Sequence, residues 1–397
     1  MGAVGFTSGD PRKLGLGGGT MTGPLVLAGA PSQDLQAATK AYVDTSVSSG
    51  GGGGPGDTLV GSVGDTPPDT TNWTAGMLWY DTSTESTTVS GTWRRWTGSV
   101  FLPTPPVQSE TDFPDETNTG IQAGVTLTQV PAEVSSGDGW SYNTSTDVLI
   151  VTGEGAVLDG LQIGPEAILD IRADNVTVTN MKINCGGTGV FGIALRSVQN
   201  VHIAYCEIGG TRPDGGPDAD GTGRMQYGIK DILTDSSGEI DHCQFYDTAN
   251  TIDCPVNMNI HDNLVHKMGY VDSDHVDCVL SEGSQHVVIE HNTLINEIGQ
   301  TSAIACYSQA GPSDDVLINN NLVGGGGYAI YCGDSTGTGQ FGATNFRVTN
   351  NKFTTQGGTW PNSGQFGTTT NFDPNAAGNV MSGNVWYDGP NAGQAVA

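Results

Sequence analysis

The densest run of titratable side chains in the chain is Asp272-Ser273-Asp274-His275-Val276-Asp277. Its last residues, Val276-Asp277-Cys278, share the form apolar-x-Cys with Ile252-Asp253-Cys254 upstream. If the two cysteines point inward from neighbouring strands, Asp253 and Asp277 point outward with Cα atoms roughly 5 Å apart. Two carboxyls so close split their affinities for protons, giving one acid and one base. That separation also suits a retaining glycosidase, which needs about 5 Å between its carboxyls. His275 lies two residues before Asp277 on the same face, and Gly228-Ile229-Lys230-Asp231 carries Lys230 into the same column. Asp253, Asp277, His275 and Lys230 are therefore the candidate catalytic groups. Asp274 and Glu282, from the neighbouring corners, are candidate contacts for a sugar hydroxyl. The competing reading is a solvated acidic face. A third is a calcium site at Asp272, Asp274 and Asp277, because a corner loop of hard oxygen ligands suits that ion; no other cofactor is expected.

The elements that must hold these residues are announced by an internal repeat. The template apolar-x-apolar-x-x-(Asn/Cys)-x-apolar fits Val201, Ile203, Cys206 and Ile208, and then Met258, Ile260, Asn263 and Val265. It recurs around Met181, Asn292, Asn321 and Asn351, with weaker copies at Leu161, Cys243 and Asn384. Period-2 alternation within each copy makes the element a strand, and short strands with corners repeating along the chain predict a β solenoid. Asparagines at one position of successive coils can bond amide to amide along the axis. The forms Ile252-Asp253-Cys254, Val276-Asp277-Cys278, Ile304-Ala305-Cys306 and Ile330-Tyr331-Cys332 predict a second inward column, of small apolar thiols. From about Asp147 to Asp388 this pattern resembles the right-handed parallel β-helix of pectate-lyase-like proteins. Those enzymes join calcium carboxylates to an Arg or Lys base, so Lys230 alone in its column argues against a lyase. The insertion Gly209 to Gly223, with Asp214, Asp218 and Asp220, is expected to overhang the cluster as a lid or ligand wall. His261, His286 and His291 lack zinc spacing and read as surface or ladder histidines.

The first 56 residues form a separate segment. Gly17-Gly18-Gly19-Thr20-Met21-Thr22-Gly23-Pro24-Leu25-Val26-Leu27 is a short strand-like run, and Leu35, Ala38, Tyr42 and Val43 fall on one stripe of a short helix that Ser32 can cap. Ser48 to Gly56 is a flexible tether. Gly17 to Asp44 resembles the GGTMTGPLxL…LQAATKxYVD repeat of bacteriophage tail-fibre and tail-spike proteins. The resemblance implies a homotrimeric component of the phage tail, in contact with other tail proteins and with host polysaccharide. Residues 57–104 read as a small β module rich in tryptophan. Trp79 and Trp96 are its candidate sugar-stacking residues, against the alternative that they fill its core. Residues 105–146 are expected to be a connector and cap, and 147–397 the β-helix. The fold class expected is all-β: a single-stranded right-handed parallel β-helix, after a small β module and a fibre-type segment with one helix.

Composition limits the function classes. The 397 residues carry 14 Lys+Arg against 42 Asp+Glu, a net charge of −28, so the chain repels phosphate backbones and nucleic-acid binding is not expected. No apolar run is long enough for a membrane span, and Met1 to Gly19 lacks the apolar core of a secretory signal. No nucleophile elbow or phosphate-binding loop is present. Together with these limits, the tail-fibre resemblance implies a glycan-binding phage tail protein, with a polysaccharide depolymerase acting through the outer-face aspartates as the alternative.

Overall fold

The computed structural model describes residues 113–397, except Glu166, residues 334–340, Thr359 and Ala397, together with four backbone strands in the N-terminal region. The chain divides into two units, Met1–Ser109 and Glu110–Ala397. In the first, Val60–Gly64 pairs in parallel with Leu78–Asp81, and Thr92–Trp96 and Phe101–Pro103 follow antiparallel. The helix expected at Leu35–Val43 lies outside the described residues.

The second unit is a parallel β-helix. Coils contribute strands in parallel to three sheets of nine, ten and eleven strands, the last including two antiparallel cap strands, here called sheets I, II and III in the order a coil visits them. One such coil runs through Val201–Ala204 in sheet I, Glu207–Gly209 in sheet II and Met225–Asp231 in sheet III. Inward side chains stack coil upon coil. In sheet I these are Leu158, Val178, Ile203, Ile240, Ile260, Ile289, Ile318 and Val348, all essentially inaccessible. Sheet II contributes Ile183, Ile208, Phe245, Val265, Leu294, Val323 and Phe353 in the same way. Two antiparallel strands cap the first coil: Trp140–Asn143 pairs with Val148–Val151, and Ser136–Gly137 pairs with Trp140–Asn143. Among the described residues no helix is long and apolar enough to cross a membrane.

The corner between sheets I and II explains the repeat. At each turn one residue takes positive φ: Asn180, Tyr205, His242, Asp262, His291, Asn320 and Asn350, then Gly383. Asn, Asp and His tolerate that conformation better than other side chains, so they recur there. The next residue points inward and forms the expected ladder. Asn263 Nδ2 donates to Asn292 Oδ1 at 3.0 Å, Asn292 to Asn321 at 2.9 Å, Asn321 to Asn351 at 3.0 Å and Asn351 to Asn384 at 3.0 Å. Each oxygen also accepts the backbone N–H of the preceding asparagine. A buried amide is thereby satisfied without leaving the core.

The cysteine column differs from expectation. Cys306 stacks on Cys332, but Ser281 takes the place between them and Cys254. Val279-Leu280-Ser281, not Val276-Asp277-Cys278, is the segment in register. Serine has nearly the volume of cysteine, and Ser281 Oγ meets its polar need through Ser284 Oγ at 2.6 Å. Cys278 instead lies against Met268, sulfur to sulfur at 4.0 Å. All seven cysteines are buried and unpaired.

Candidate functional site

Sheet III positions the candidate site on its outer face. Alternation sends Ile229, Ile252, Val279, Ile304 and Ile330 into the core. Their successors Lys230, Asp253, Leu280, Ala305 and Tyr331 form one column on the other side. Lys230 Nζ pairs with the Asp253 carboxylate and sits 4.9 Å from the centre of the Tyr227 ring. Tyr227 in turn contacts Phe191, with ring centres 5.4 Å apart. Two residues further along the strands, exposed Glu282 lies opposite Tyr307. Tyr307 and Tyr331 approach to 5.4 Å, Tyr331 meets Tyr328 edge-on at 5.7 Å, and Tyr328 meets Phe366 at 5.8 Å. Phe366 is 64 % exposed and lines a groove of about 460 Å³ with Trp386, Asn391 and Gln394. The result is a row of half-exposed rings along the helix axis, interrupted by one lysine and two carboxyls. Burial raises the Asp253 carboxyl above its usual range, outweighing the lowering by Lys230.

The expected Asp253–Asp277 pair is not formed. Asp253 faces Lys230 on one side and Leu280 on the other, whereas Asp277 faces Asn250 and Ser302. The two carboxyls are offset by three residues along their strands, roughly 10 Å, because the cysteine forms do not align. Neither is a free surface group: Asp253 is 5 % exposed and Asp277 is fully buried. Asp277 Oδ1 accepts from Ser302 Oγ at 2.6 Å, and burial pushes its carboxyl up to about 8.

His275 and Asp272 are exposed on the corner before this strand. Asp274 is buried and held by Arg224 through one guanidinium edge, Nε and Nη2 donating at 2.5 and 3.0 Å, so it is a structural anchor. Asp272, Asp274 and Asp277 do not converge on one point: among the described residues their oxygens form no common ligand group. The Gly209–Gly223 insertion is no free lid either. Arg212 grips Asp247, Asp218 accepts the backbone N–H groups of Gly223 and Arg224 at 2.8 Å, and Gly216–Pro217 pairs with Gly269–Tyr270. Trp79 lies opposite Arg94 and Trp96 opposite Phe101 in the small sheet; their side chains fall outside the described residues.

Tyr227, Tyr307, Tyr328, Tyr331 and Phe366 were missed by the sequence reading. Tyr331 stood in plain view as the middle residue of Ile330-Tyr331-Cys332, where alternation alone turns it outward. Of the histidines read as surface or ladder residues, His286 fits and His261 does not. His286 is exposed and pairs with Asp315, but His261 is buried between Glu239 and Asp262, and His291 packs against Phe113.

No protein-family model and no curated protein matches this chain. Among solved structures, the chain is similar to the crystal structure of the Dettilon tailspike protein at 16 % identity and a TM-score of 0.30. The match covers 62 % of this chain and spans 60 % of that one.

Proposed function

We propose that the chain is a bacteriophage minor tail or tail-fibre protein, a homotrimeric virion component of the tail that contacts other tail proteins and binds a glycan of the host envelope. The observation that carries the reading is the row of rings on sheet III, with Lys230, Asp253 and Glu282 set among them. Sugar rings present apolar C–H faces and polar edges, and half-exposed tyrosines beside fixed polar groups meet both. The fibre-type motif at Gly17–Asp44 and the tether after it support a tail location. The net charge of −28 favours a neutral glycan over an anionic one.

A depolymerase is the second reading. It is favoured by the Asp253 carboxyl, which burial raises above its usual range, on the same face as exposed Glu282.

The test is retention of purified host envelope polysaccharide by the full-length chain and by Tyr307→Ala and Tyr331→Ala. Glycan adhesion predicts retention by the native chain and loss of at least tenfold in each variant, with melting nearly unchanged. Equal retention by all three overturns the assignment to sheet III, and release of reducing ends that stops in Asp253→Asn selects the enzyme. Light scattering of the full-length chain at the mass of one or two copies would overturn the trimer.

A further inference from the structure

On the outer face of sheet I, remote from the aromatic row, four of the seven histidines meet three buried carboxylates. His202 Nε2 lies 2.6 Å from Asp241 Oδ2, and His242 Nδ1 lies 2.7 Å from Asp241 Oδ1. His261 Nε2 lies 2.6 Å from Glu239 Oε1, and its Nδ1 lies 2.8 Å from Asp262 Oδ2. His291 Nδ1 completes the chain at 2.5 Å from Asp262 Oδ1. Strand pairing brings these groups together: His202 lies opposite Glu239 in adjacent coils, and Asp241 opposite His261.

We propose that His202, Glu239 and Asp241 form a binding site for a first-row divalent metal ion such as Zn2+. One ligand atom from each lies within 4.8 Å of the other two. Bonds of about 2.1 Å require ligand separations of roughly 3 Å, so the cluster adjusts by short side-chain movements. One imidazole and two carboxylates suit zinc or its neighbours better than calcium, which takes oxygen ligands alone.

Two further observations favour a cation here. Glu239, Asp241 and Asp262 are 3 %, 6 % and 3 % exposed, and the ion pairs described for them are all with histidines, none with Lys or Arg. Buried carboxylates in that number call for positive charge, which protonated histidines or a bound cation can supply. The supporting groups also match those behind a metal ligand. Asp241 is held from behind by His242, and Glu239 by His261, which Asp262 orients in turn. His202 has a side chain 37 % exposed, which leaves an entry path from solvent. On the corner side the segment from Phe113 covers the cluster, through the Phe113–His291 stack at 5.5 Å and the Gly120 N–H bond to the His242 carbonyl at 2.8 Å. The site is independent of the glycan reading.

Isothermal titration of Zn2+ into the full-length chain, free of any histidine tag, tests it, alongside His202→Ala, Asp241→Asn and His286→Ala. The expected result is one Zn2+ per chain, affinity at least about 10-fold weaker in the first two variants and unchanged in the third, and no comparable uptake of Ca2+. Because His202 is partly exposed, His202→Ala keeps the test alive if Asp241→Asn fails to fold. Absence of stoichiometric binding, or equal affinity in His202→Ala, overturns the site.

Discussion

Asp277 and Asn250 lie directly opposite one another in adjacent coils of sheet III, and each carries a buried side-chain oxygen with no hydrogen-bond partner. Two orphan acceptors at neighbouring positions are costly. A proton on Asp277 turns one of them into a donor, in keeping with a carboxyl that burial holds up to about 8.

The first prediction follows from this proton. Between pH 4 and 8 the folded chain keeps it and the unfolded chain has lost it, so this group's contribution to stability falls as pH rises and levels off above 8. Asp277→Asn removes the dependence. Relative to the native chain, the variant should gain stability by at most about 1.4 kcal/mol per pH unit across that window. Denaturant unfolding at pH 5, 6.5 and 8 measures it, and a difference that does not change with pH would refute the protonated state.

A second concerns the ladder. Asn321→Ala strips an acceptor from the Asn292 amide and backbone N–H and a donor from the Ile289 carbonyl. All are buried, so the variant should lose roughly 2–4 kcal/mol by denaturant unfolding. Ser273→Ala, on an exposed corner without positive φ, is the control for a change outside the core.

The thiols supply a third. Burial pushes Cys185 and Cys306 up to about 12, and all seven cysteines are inaccessible. An aromatic disulfide reagent should therefore titrate essentially no thiol in the native chain and all seven after unfolding. Rapid native labelling of Cys306 or Cys332 would contradict their inward stacking.

The fourth addresses the anchored insertion. Asp274→Ala leaves the guanidinium of Arg224 buried without its bidentate partner, at a cost of about 3–5 kcal/mol. If Asp274 were an open ligand site instead, the same change would leave melting nearly unaltered.

Much of the fold was legible before any coordinates. Apolar residues alternating within each repeat state which side chains face in, and Asn263, Asn292, Asn321, Asn351 and Asn384 mark one corner of successive coils, where their amides now bond in series. Alternation does not state which residue lies above which. That depends on the length of every intervening corner, and the coil leading to Asp277 is longer than the apolar-x-Cys pattern implies. The three extra residues put Leu280, not Asp277, beside Asp253, and left Asp277 buried against Asn250 and Ser302. The aromatic row depends on the same closure, because Phe191 and Tyr227, and likewise Tyr307 and Tyr331, belong to adjacent coils and become neighbours only when the coils stack. His202, Glu239 and His261 are separated by whole turns of chain, and no local spacing hints at their meeting. Local pattern determined the strands, the corners and the core, because those follow from side-chain size and backbone preference one residue at a time. The tertiary structure decided the register, and with it every site built from more than one coil, because a strand spacing of about 4.8 Å converts distant positions into contacts.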